Sequence, residues 1–513
     1  MEDYITEIPY ISNYYCDLNP AHLSFIAALN GFRPPDVLKN FSYCELGCGC
    51  GKTTNIVAAA YPYSDCTGID INKEHIRIAR SESVGLKNIK FLDVSFREAL
   101  PQNLPRFDFI TAHGIWSWVG DSARTDILKF VRKFLKPNGI LYLSYDAMPG
   151  WSQLAPFHKI IFAYANDKKG SITEKASAAL TYLQFLNGNK SAFFERNPEA
   201  KIFLQTLERS DARYVIHELF NKHLRPEYFC DVASDMKKAG LTFVGNSEHF
   251  QNCRMMTPEP FRKLLDTASD KISAETHRSI IMNDRFRRDI YMKCKPSAVP
   301  QNKKIADYLG NLMFGAKKPL SDLNLEVQTG GYTLSLRPDI YLKIFEMLSE
   351  DQLTVREINQ KLGRSEKEIG ETVENTVNCM LSDQFNIFLR KRRNVEHCES
   401  FVFTSEYNLN QIVNWDGQYS KYVFPASEVT GNAFPVTKKS ALLLSAMYKF
   451  GISSDKVIDS AYEFIVDDIK KGRNIFGFSP DQDIRYLIRF DRNEIRKHLL
   501  NELQMFGIIC GKS

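Results

Sequence analysis

The chain has 513 residues, too many for one ordinary hydrophobic core, so roughly two to four domains are expected. Hydrophobic residues make up 44% and charged residues 25%, a normal globular mixture that can bury a full core. The net charge of +5 is too small to indicate a nucleic-acid partner by itself. No apolar run reaches the roughly eighteen residues of a membrane-spanning helix, so no membrane span is predicted.

The cysteines and the first residues of the chain indicate the compartment. The 11 cysteines include no CxxC pair, although Cys44, Cys48 and Cys50 lie close together. Zinc sites need a second pair of ligands downstream, so no metal site is predicted and free thiols are expected. Free thiols are typical of a reducing compartment, and the N-terminus lacks the basic and apolar regions of a signal peptide. We therefore expect a cytoplasmic protein.

Strands and helices alternate along the first part of the chain. The predicted strands are 43–46, 66–71, 89–92, 107–112 and 140–144, and the predicted helices are 21–29, 53–60, 74–83 and 126–135. A helical stretch follows from residue 151, and the segments 239–244 and 289–293 are again strand-like. This alternation predicts an α/β fold, with a Rossmann-like sheet of seven strands that is interrupted by a helical insertion.

The pattern changes beyond residue 300. Three apolar-periodic helices are followed by two strand-like segments, and three helices before a hairpin are typical of a winged helix. These elements are 339–348, 354–362 and 367–381, then 385–390 and 401–403. The predicted parts are a core at 1–150 and 230–296, a helical insertion at 151–229, a winged-helix-like middle domain at 297–405 and a mostly helical C-terminal domain at 406–513.

The first predicted strand ends in a glycine-rich loop, Glu-Leu-Gly-Cys-Gly-Cys-Gly at residues 45–51. A phosphate-binding Walker loop would need glycine where Leu46 stands, and a dinucleotide-binding loop would need glycine where Lys52 stands. Both kinds of site are therefore excluded. The pattern E-x-G-x-G-x-G fits, and its residues are Glu45, Gly47, Gly49 and Gly51.

With this loop the sequence resembles the class I S-adenosylmethionine-dependent methyltransferases, so S-adenosylmethionine is the predicted cofactor. The resemblance implies that Glu45 steers the cofactor's ammonium group, that Asp70 accepts the ribose hydroxyl groups and that Asp93 accepts the adenine amino group. A tyrosine-rich segment before the first strand is expected to cover the cofactor. The other predicted cofactor-binding residues are Ile71, Val94, His113 and Tyr14.

The acceptor pocket is predicted from aromatic residues that follow the fourth and fifth strands, in the segments 113–118 and 144–151. Aromatic walls suit an acceptor that becomes a methylated ammonium, although ordinary core packing of each tryptophan is the alternative. The predicted pocket residues are Trp116, Trp118 and Tyr145, with Asp146 near the incoming cation.

A narrower resemblance rests on the tyrosine-rich lead, the two aromatic segments and His-Glu-Leu-Phe-Asn at 217–221. These motifs are similar to those of bacterial methyltransferases with a methyltransferase regulatory region, such as the rickettsial lysine methyltransferases of outer membrane protein B. The resemblance implies a protein substrate with exposed lysines, such as a surface or outer membrane protein, and a homodimer through the helical insertion. Asp146 departs from the family pattern, which has asparagine there.

Two alternatives to lysine methylation stay open. A small-molecule N- or O-methyltransferase would use the same cofactor site, although the insertion and the extra domains argue mildly against a small acceptor. A DNA-binding regulator would use the winged-helix-like domain, because the basic run 390–393 lies near the predicted hairpin and would contact phosphates. Lysine methylation is the favoured interpretation, and a nucleic-acid partner is not expected.

Overall fold

The computed structural model describes most of the chain. The described residues are 8, 10, 12–294, 302–317, 320–329, 332–336, 339–382, 384–396, 398–414, 421–473, 475–478 and 482–512. Within these ranges, no helix combines the length and the apolar character that crossing a membrane requires.

A mainly parallel sheet lies at the centre of the described chain. Its strands are β1 (Ser42–Leu46), β2 (Asp65–Asp70), β3 (Ile89–Asp93), β4 (Phe107–Ala112), β5 (Leu135–Met148), the short β6 (Glu227–Tyr228), β7 (Thr242–Asn246) and β8 (Phe286–Met292). The order is β3-β2-β1-β4-β5-β8-β7, with β6 beside β5 and with β8 antiparallel to both neighbours. The predicted seven-stranded Rossmann-like core is confirmed.

Helices cover the two faces of this sheet. Those before the insertion are α1 (Pro20–Leu29), α2 (Lys52–Ala60), α3 (Lys73–Ser81), α4 (Phe96–Ala99) and α5 (Asp121–Phe134). Asn19 caps α1 by accepting the backbone N–H of Ala21 at 2.8 Å. Side chains alternate between the faces along each strand, so Phe109 and Ile110 belong to separate apolar clusters.

The helical insertion has an apolar cluster of its own. Its helices are α6 (Ala155–Asn166), α7 (Ile172–Gly188), α8 (Ala192–Arg196), α9 (Pro198–Glu208) and α10 (Ala212–Phe220). Phe157, Leu183 and Phe194 are fully buried among them. The last helix, α10, contacts the N-terminal segment, because His217 donates to the carbonyl oxygen of Ile8 at 2.9 Å.

The helices after the insertion are α11 (Phe229–Lys238), α12 (Glu259–Asp266) and α13 (Lys271–Ile281). The strand predicted at 239–244 begins three residues later, at Thr242. Ala239 caps α11, and Gly240 turns the chain with a φ of +81°. The apolar residues before Thr242 therefore belong to the end of a helix.

The middle part packs directly on the core, since the ring of Phe314 meets that of Phe25 on α1 at 6.0 Å. Its elements are α14 (Asn302–Asn311), β9 (Met313–Ala316), β10 (Glu326–Thr329), β11 (Tyr332–Ser335), α15 (Asp339–Glu350), β12 (Leu353–Thr354), α16 (Val355–Lys361), α17 (Ile369–Met380) and β13 (Phe385–Phe388). The three predicted helices of this part coincide with α15, α16 and α17.

The predicted hairpin of 385–390 and 401–403 is wrong. The strand β13 pairs antiparallel with β9, and β14 (Phe401–Phe403) pairs with the strand Ile509–Gly511 near the end of the chain. A local apolar pattern identifies a strand but does not identify its partner.

The C-terminal part contains helices and short strands. These are α18 (Glu406–Val413), β15 (Tyr422–Val423), β16 (Ala426–Ser427), β17 (Asn432–Ala433), β18 (Val436–Thr437), α19 (Lys438–Phe450), α20 (Lys456–Lys470), α21 (Ile484–Glu494), α22 (Leu500–Met505) and β19 (Ile509–Gly511). A π-helical segment, Ile495–Leu499, joins α21 to α22. The part also contacts the core, because Lys52 on α2 donates to Gln411 at 3.3 Å.

Candidate functional site

The carboxyl ends of the parallel strands open into a cavity of about 510 Å³. Ligands bind at this edge in parallel sheets because the loops that follow the strands meet there. The wall includes the glycine-rich loop after β1, the N-terminal segment, residues of α10, and both Trp118 and Asp146. One continuous space therefore joins the predicted cofactor loop to two of the predicted acceptor residues.

The three glycines of the loop adopt backbone conformations that other residues rarely take. The φ angles of Gly47, Gly49 and Gly51 are +64°, +53° and +70°. A Cβ on Gly47 would collide with Ile115, and one on Gly51 would lie 2.6 Å from Ala79, whereas the Cβ position of Gly49 has nothing within 4 Å. Gly51 lies outside the cavity and allows close packing behind the loop, whereas Gly49 lines the cavity and leaves room for a ligand.

Asp70, the last residue of β2, is oriented by its neighbours. Its carboxylate accepts the backbone N–H of Gly49 at 2.9 Å and that of Asn72 at 2.8 Å, and it lies 3.3 Å from Nδ1 of His75. The carboxylate lines the cavity, and its Oδ2 has a lone pair left to accept a ribose hydroxyl group. Its position fits the ribose-binding role that the sequence predicts.

Glu45 is a buried carboxyl group beside the loop. It accepts a hydrogen bond from the hydroxyl of Thr54, and burial raises its pKa to about 8. A nearby cation would stabilise the carboxylate form. The amino-acid end of S-adenosylmethionine carries such a cation, so Glu45, Asp70 and the open space at Gly49 fit this cofactor.

The segments after β2 and β3 form another wall, since Ile71 follows β2 and both Val94 and Phe96 follow β3. Asp93 is not among the described residues that line the cavity. Its carboxylate lies 3.5 Å from the guanidinium of Arg80 on α3, and its side chain is 42% exposed. In this structure the carboxylate of Asp93 faces Arg80, and its predicted contact with the adenine amino group stays a prediction.

The N-terminal segment covers the cavity with Tyr10 and Tyr15 rather than with Tyr14. The ring of Tyr15 lies 3.9 Å from that of His113. The hydroxyl of Tyr14 instead donates to Asn432 of the C-terminal part. Tyr14 thus contacts the C-terminal part and is not among the described residues that line the cavity, and its predicted role in cofactor binding stays a prediction.

Two of the four predicted acceptor residues lie outside the cavity. Trp116 is buried, and the guanidinium of Arg124 lies 5.3 Å from its ring centroid. Tyr145 is also buried and donates to Asp289 at 2.6 Å. Since successive residues of a strand point to opposite faces, Tyr145 points away from the cavity that Asp146 lines. In the segment that follows β4, the tryptophan that lines the cavity is Trp118.

The cavity also contains a pair of carboxyl groups, Asp146 and Glu218. The backbone N–H of Asp146 donates to the hydroxyl of Ser117 at 2.9 Å, and Trp151 binds its side chain. Burial raises the pKa of Asp146 to about 7. Burial and the charge of Asp146 raise the pKa of Glu218 well above its usual value.

Sequence reasoning missed the contribution of α10, which brings Tyr214 and Glu218 into the cavity. Glu218 belongs to the motif at 217–221, but a motif does not show where a helix of the insertion packs. Arg285 and Phe286 were missed for a similar reason: they line the cavity because β8 pairs with β5, a long-range pairing.

His113 lines the cavity as a neutral imidazole. Its Nδ1 lies 2.9 Å from the hydroxyl of Tyr142 and 3.2 Å from that of Ser144. Burial, helped by the charge of Arg288, lowers its pKa to about 3. An uncharged ring at this position avoids repulsion of a sulfonium ligand.

The neutral state of His113 predicts a pH dependence. The folded-state pKa of about 3 lies below the ordinary value of 6.5, so the stabilising contribution is complete above pH 6.5 and is lost as the pH falls towards 3. We expect the His113 imidazole to show no NMR titration between pH 5 and 8. Between pH 7.5 and 5, wild type should lose about 1 to 2 kcal/mol more stability than His113→Gln in urea unfolding. Equal losses, or a resonance that titrates near pH 6.5, would contradict the assignment.

Two segments of the chain match the models of known protein families. Residues 38–181 match the family model described as "Methyltransferase domain". Residues 211–293 match the model described as "Predicted methyltransferase regulatory domain". An uncharacterised protein of Synechocystis is 31% identical over 457 residues, which cover 87% of each chain. An uncharacterised protein of Rickettsia prowazekii is 28% identical over 63% of this chain and 59% of its own length.

A solved structure resembles nearly the whole chain. PKMT2 from Rickettsia typhi in complex with AdoHcy has a TM-score of 0.71 and 19% sequence identity, covering 98% of this chain and 100% of that one. The likeness shows a shared fold that includes the middle and C-terminal parts as well as the core.

Proposed function

Because the chain belongs to the class I S-adenosylmethionine-dependent methyltransferases with a methyltransferase regulatory domain, we propose that it methylates the ε-amine of lysine in a protein substrate. One observation supports this acceptor: the cavity joins the glycine-rich loop to aromatic side chains and to the carboxyl groups of Asp146 and Glu218. A lysine side chain is an apolar stem that ends in a cation. Aromatic walls suit the stem, and carboxylates suit the cation.

The residues of the site divide into two groups under this proposal. S-adenosylmethionine supplies an electrophilic methyl group on a sulfonium. Glu45 and Asp70 hold the ammonium and ribose groups of the cofactor. Trp118 holds the lysine stem, so that the nitrogen approaches in line. The N-terminal segment excludes water, held by a hydrogen bond of 2.9 Å from the backbone N–H of Tyr10 to His75.

The acceptor is tested with S-adenosylmethionine that carries a labelled methyl group. The chain is incubated with a lysine-rich polypeptide, with the same polypeptide after lysine acetylation, and with extracted metabolites. We expect label only on the unmodified polypeptide, recovered after hydrolysis as methyl-lysine. Label that appears only in metabolites, or equally on the acetylated polypeptide, would exclude lysine and favour a small-molecule acceptor.

The homodimer through the helical insertion remains a proposal. The insertion carries large apolar side chains on its surface, since Phe185 is 64% and Ile202 is 54% exposed. A second subunit that covered them would bury this apolar surface. Family resemblance supports the same arrangement.

The DNA-binding alternative gains no support from the basic run at 390–393. Arg390 pairs with Glu428 at 3.0 Å, and Lys391 pairs with Asp351 at 2.9 Å. Arg392 donates to the carbonyl oxygen of Ala316. These three side chains are therefore already paired with protein groups, and we do not propose a nucleic-acid function.

A further inference from the structure

We propose that Glu218 accepts the proton that the lysine ammonium must lose before methylation, while Asp146 holds the nitrogen in place. This inference rests on the proposed function and names the base of the same site. Glu218 lies on α10 and Asp146 lies on β5, so the insertion and the sheet each supply one acid to the cavity. The insertion thus completes the acceptor site as well as covering it.

The two acids have different partners. Asp146 is held through its backbone by Ser117 and through its side chain by Trp151, while its Oδ2 is buried without a hydrogen-bond partner in the described part of the chain. Glu218 forms no hydrogen bond or ion pair with any described residue, and it is half-buried with its side chain in the cavity wall. A carboxylate in such a place is costly to desolvate, and an incoming ammonium would offset that cost.

The surroundings of Glu218 favour proton uptake by this acid. The titratable and charged groups of the cavity wall near it are Tyr10, Tyr15, Asp146, Tyr214, His217 and Arg285. Burial raises the pKa of the three phenols and lowers that of His217, so these side chains stay neutral. Arg285 favours the charged form of Asp146, whereas the charge of Asp146 raises the pKa of Glu218. Of the two acids, Glu218 therefore holds a proton more readily.

The proposed step conserves atoms and charge. One N–H bond of the ε-ammonium breaks, and its proton forms an O–H bond with the Glu218 carboxylate. The lone pair of the neutral nitrogen forms the new N–CH₃ bond, and the electron pair of the broken S–CH₃ bond stays on sulfur. The products are a methylammonium and S-adenosylhomocysteine, and Glu218 then releases its proton to water. No further reactant is needed.

The test compares Glu218→Gln with wild type on a lysine peptide. The amide has the same shape but takes no proton, so kcat at pH 7 should fall about 100-fold and should recover as the pH rises and free amine accumulates. A peptide with aminoethylcysteine in place of lysine has a less basic amine, so the defect should be smaller with it. Calorimetry should give the same S-adenosylmethionine affinity for both proteins, and Glu218→Asp should recover part of the rate.

The matched control is Glu195→Gln, an exposed glutamate of the same insertion that pairs with Lys201, and it should behave as wild type. The inference would be overturned if Glu218→Gln had an unchanged kcat and pH profile, or if its defect were equal with both peptides. It would also be overturned if both Glu218 variants lost rate only because they had lost cofactor affinity or had failed to fold. A wild-type chain that methylates no lysine refutes the proposed function itself, which distinguishes the two failures.

Discussion

Gly49→Arg is expected to fold and to bind no S-adenosylmethionine that calorimetry can detect. Gly49 lines the cavity, and the position of its missing Cβ is open. An arginine side chain there would enter the space that the cofactor needs and would place a second cation near the sulfonium. The positive φ of +53° adds a backbone strain of about 1 kcal/mol, which a folded chain of this size tolerates.

Gly363→Arg is the control that distinguishes the effect of backbone strain from the effect of a blocked cavity. Gly363 also has a positive φ, at +70°, and an open Cβ position, but it follows α16 in the middle part. This control should have a similar thermal midpoint and full cofactor affinity. Asp70→Ala should reach the same result as Gly49→Arg by another route, because it removes the ribose acceptor and the carboxylate that holds the backbone N–H of Gly49. A loss of at least about 100-fold is expected. Retained affinity in both site variants would disprove the assignment of the loop.

The glycine-rich loop and the central sheet could be predicted because their signals are local. Glu45 and Asp70 end adjacent parallel strands, and such ends meet at one edge of a sheet. Asp93 has the same local signal, but its ion pair with Arg80 depends on how α3 packs beside β3, and a strand-end rule does not include that packing.

The acceptor side was harder to predict because it depends on direction and on distant pairing. Tyr145 and Asp146 are neighbours in sequence, and the orientation of the strand in the sheet decides which of the two side chains lines the cavity. Glu218 reaches the cavity through the docking of α10, for which the sequence carries no positional signal. The sequence indicates that acidic and aromatic residues form the acceptor side. Which of these residues meet in one cavity depends on the tertiary structure.

Arg287→Ala is expected to lower the free energy of unfolding by about 3 to 5 kcal/mol, the usual cost of breaking a buried ion pair. Arg287 on β8 is fully buried. Its guanidinium donates to Glu275, Asp284 and Asp289 at 2.7 Å each. Without it, Asp289 keeps the hydroxyl of Tyr145 as a donor, and the three acids remain enclosed by protein.

Calorimetric unfolding of the full chain at pH 7.5 measures this loss. Arg287→Lys should fall between wild type and Arg287→Ala, because an ammonium restores the charge but not the planar fork that reaches three acids. The control is Arg77→Ala on α3, whose pair with Glu74 is exposed on both sides, so its midpoint should not change measurably. An unchanged midpoint in Arg287→Ala would contradict the buried network. Tyr145 binds Asp289 of this network, and the next residue on β5 is Asp146. The loss of the network should therefore also make the position of Asp146 in the cavity wall less fixed.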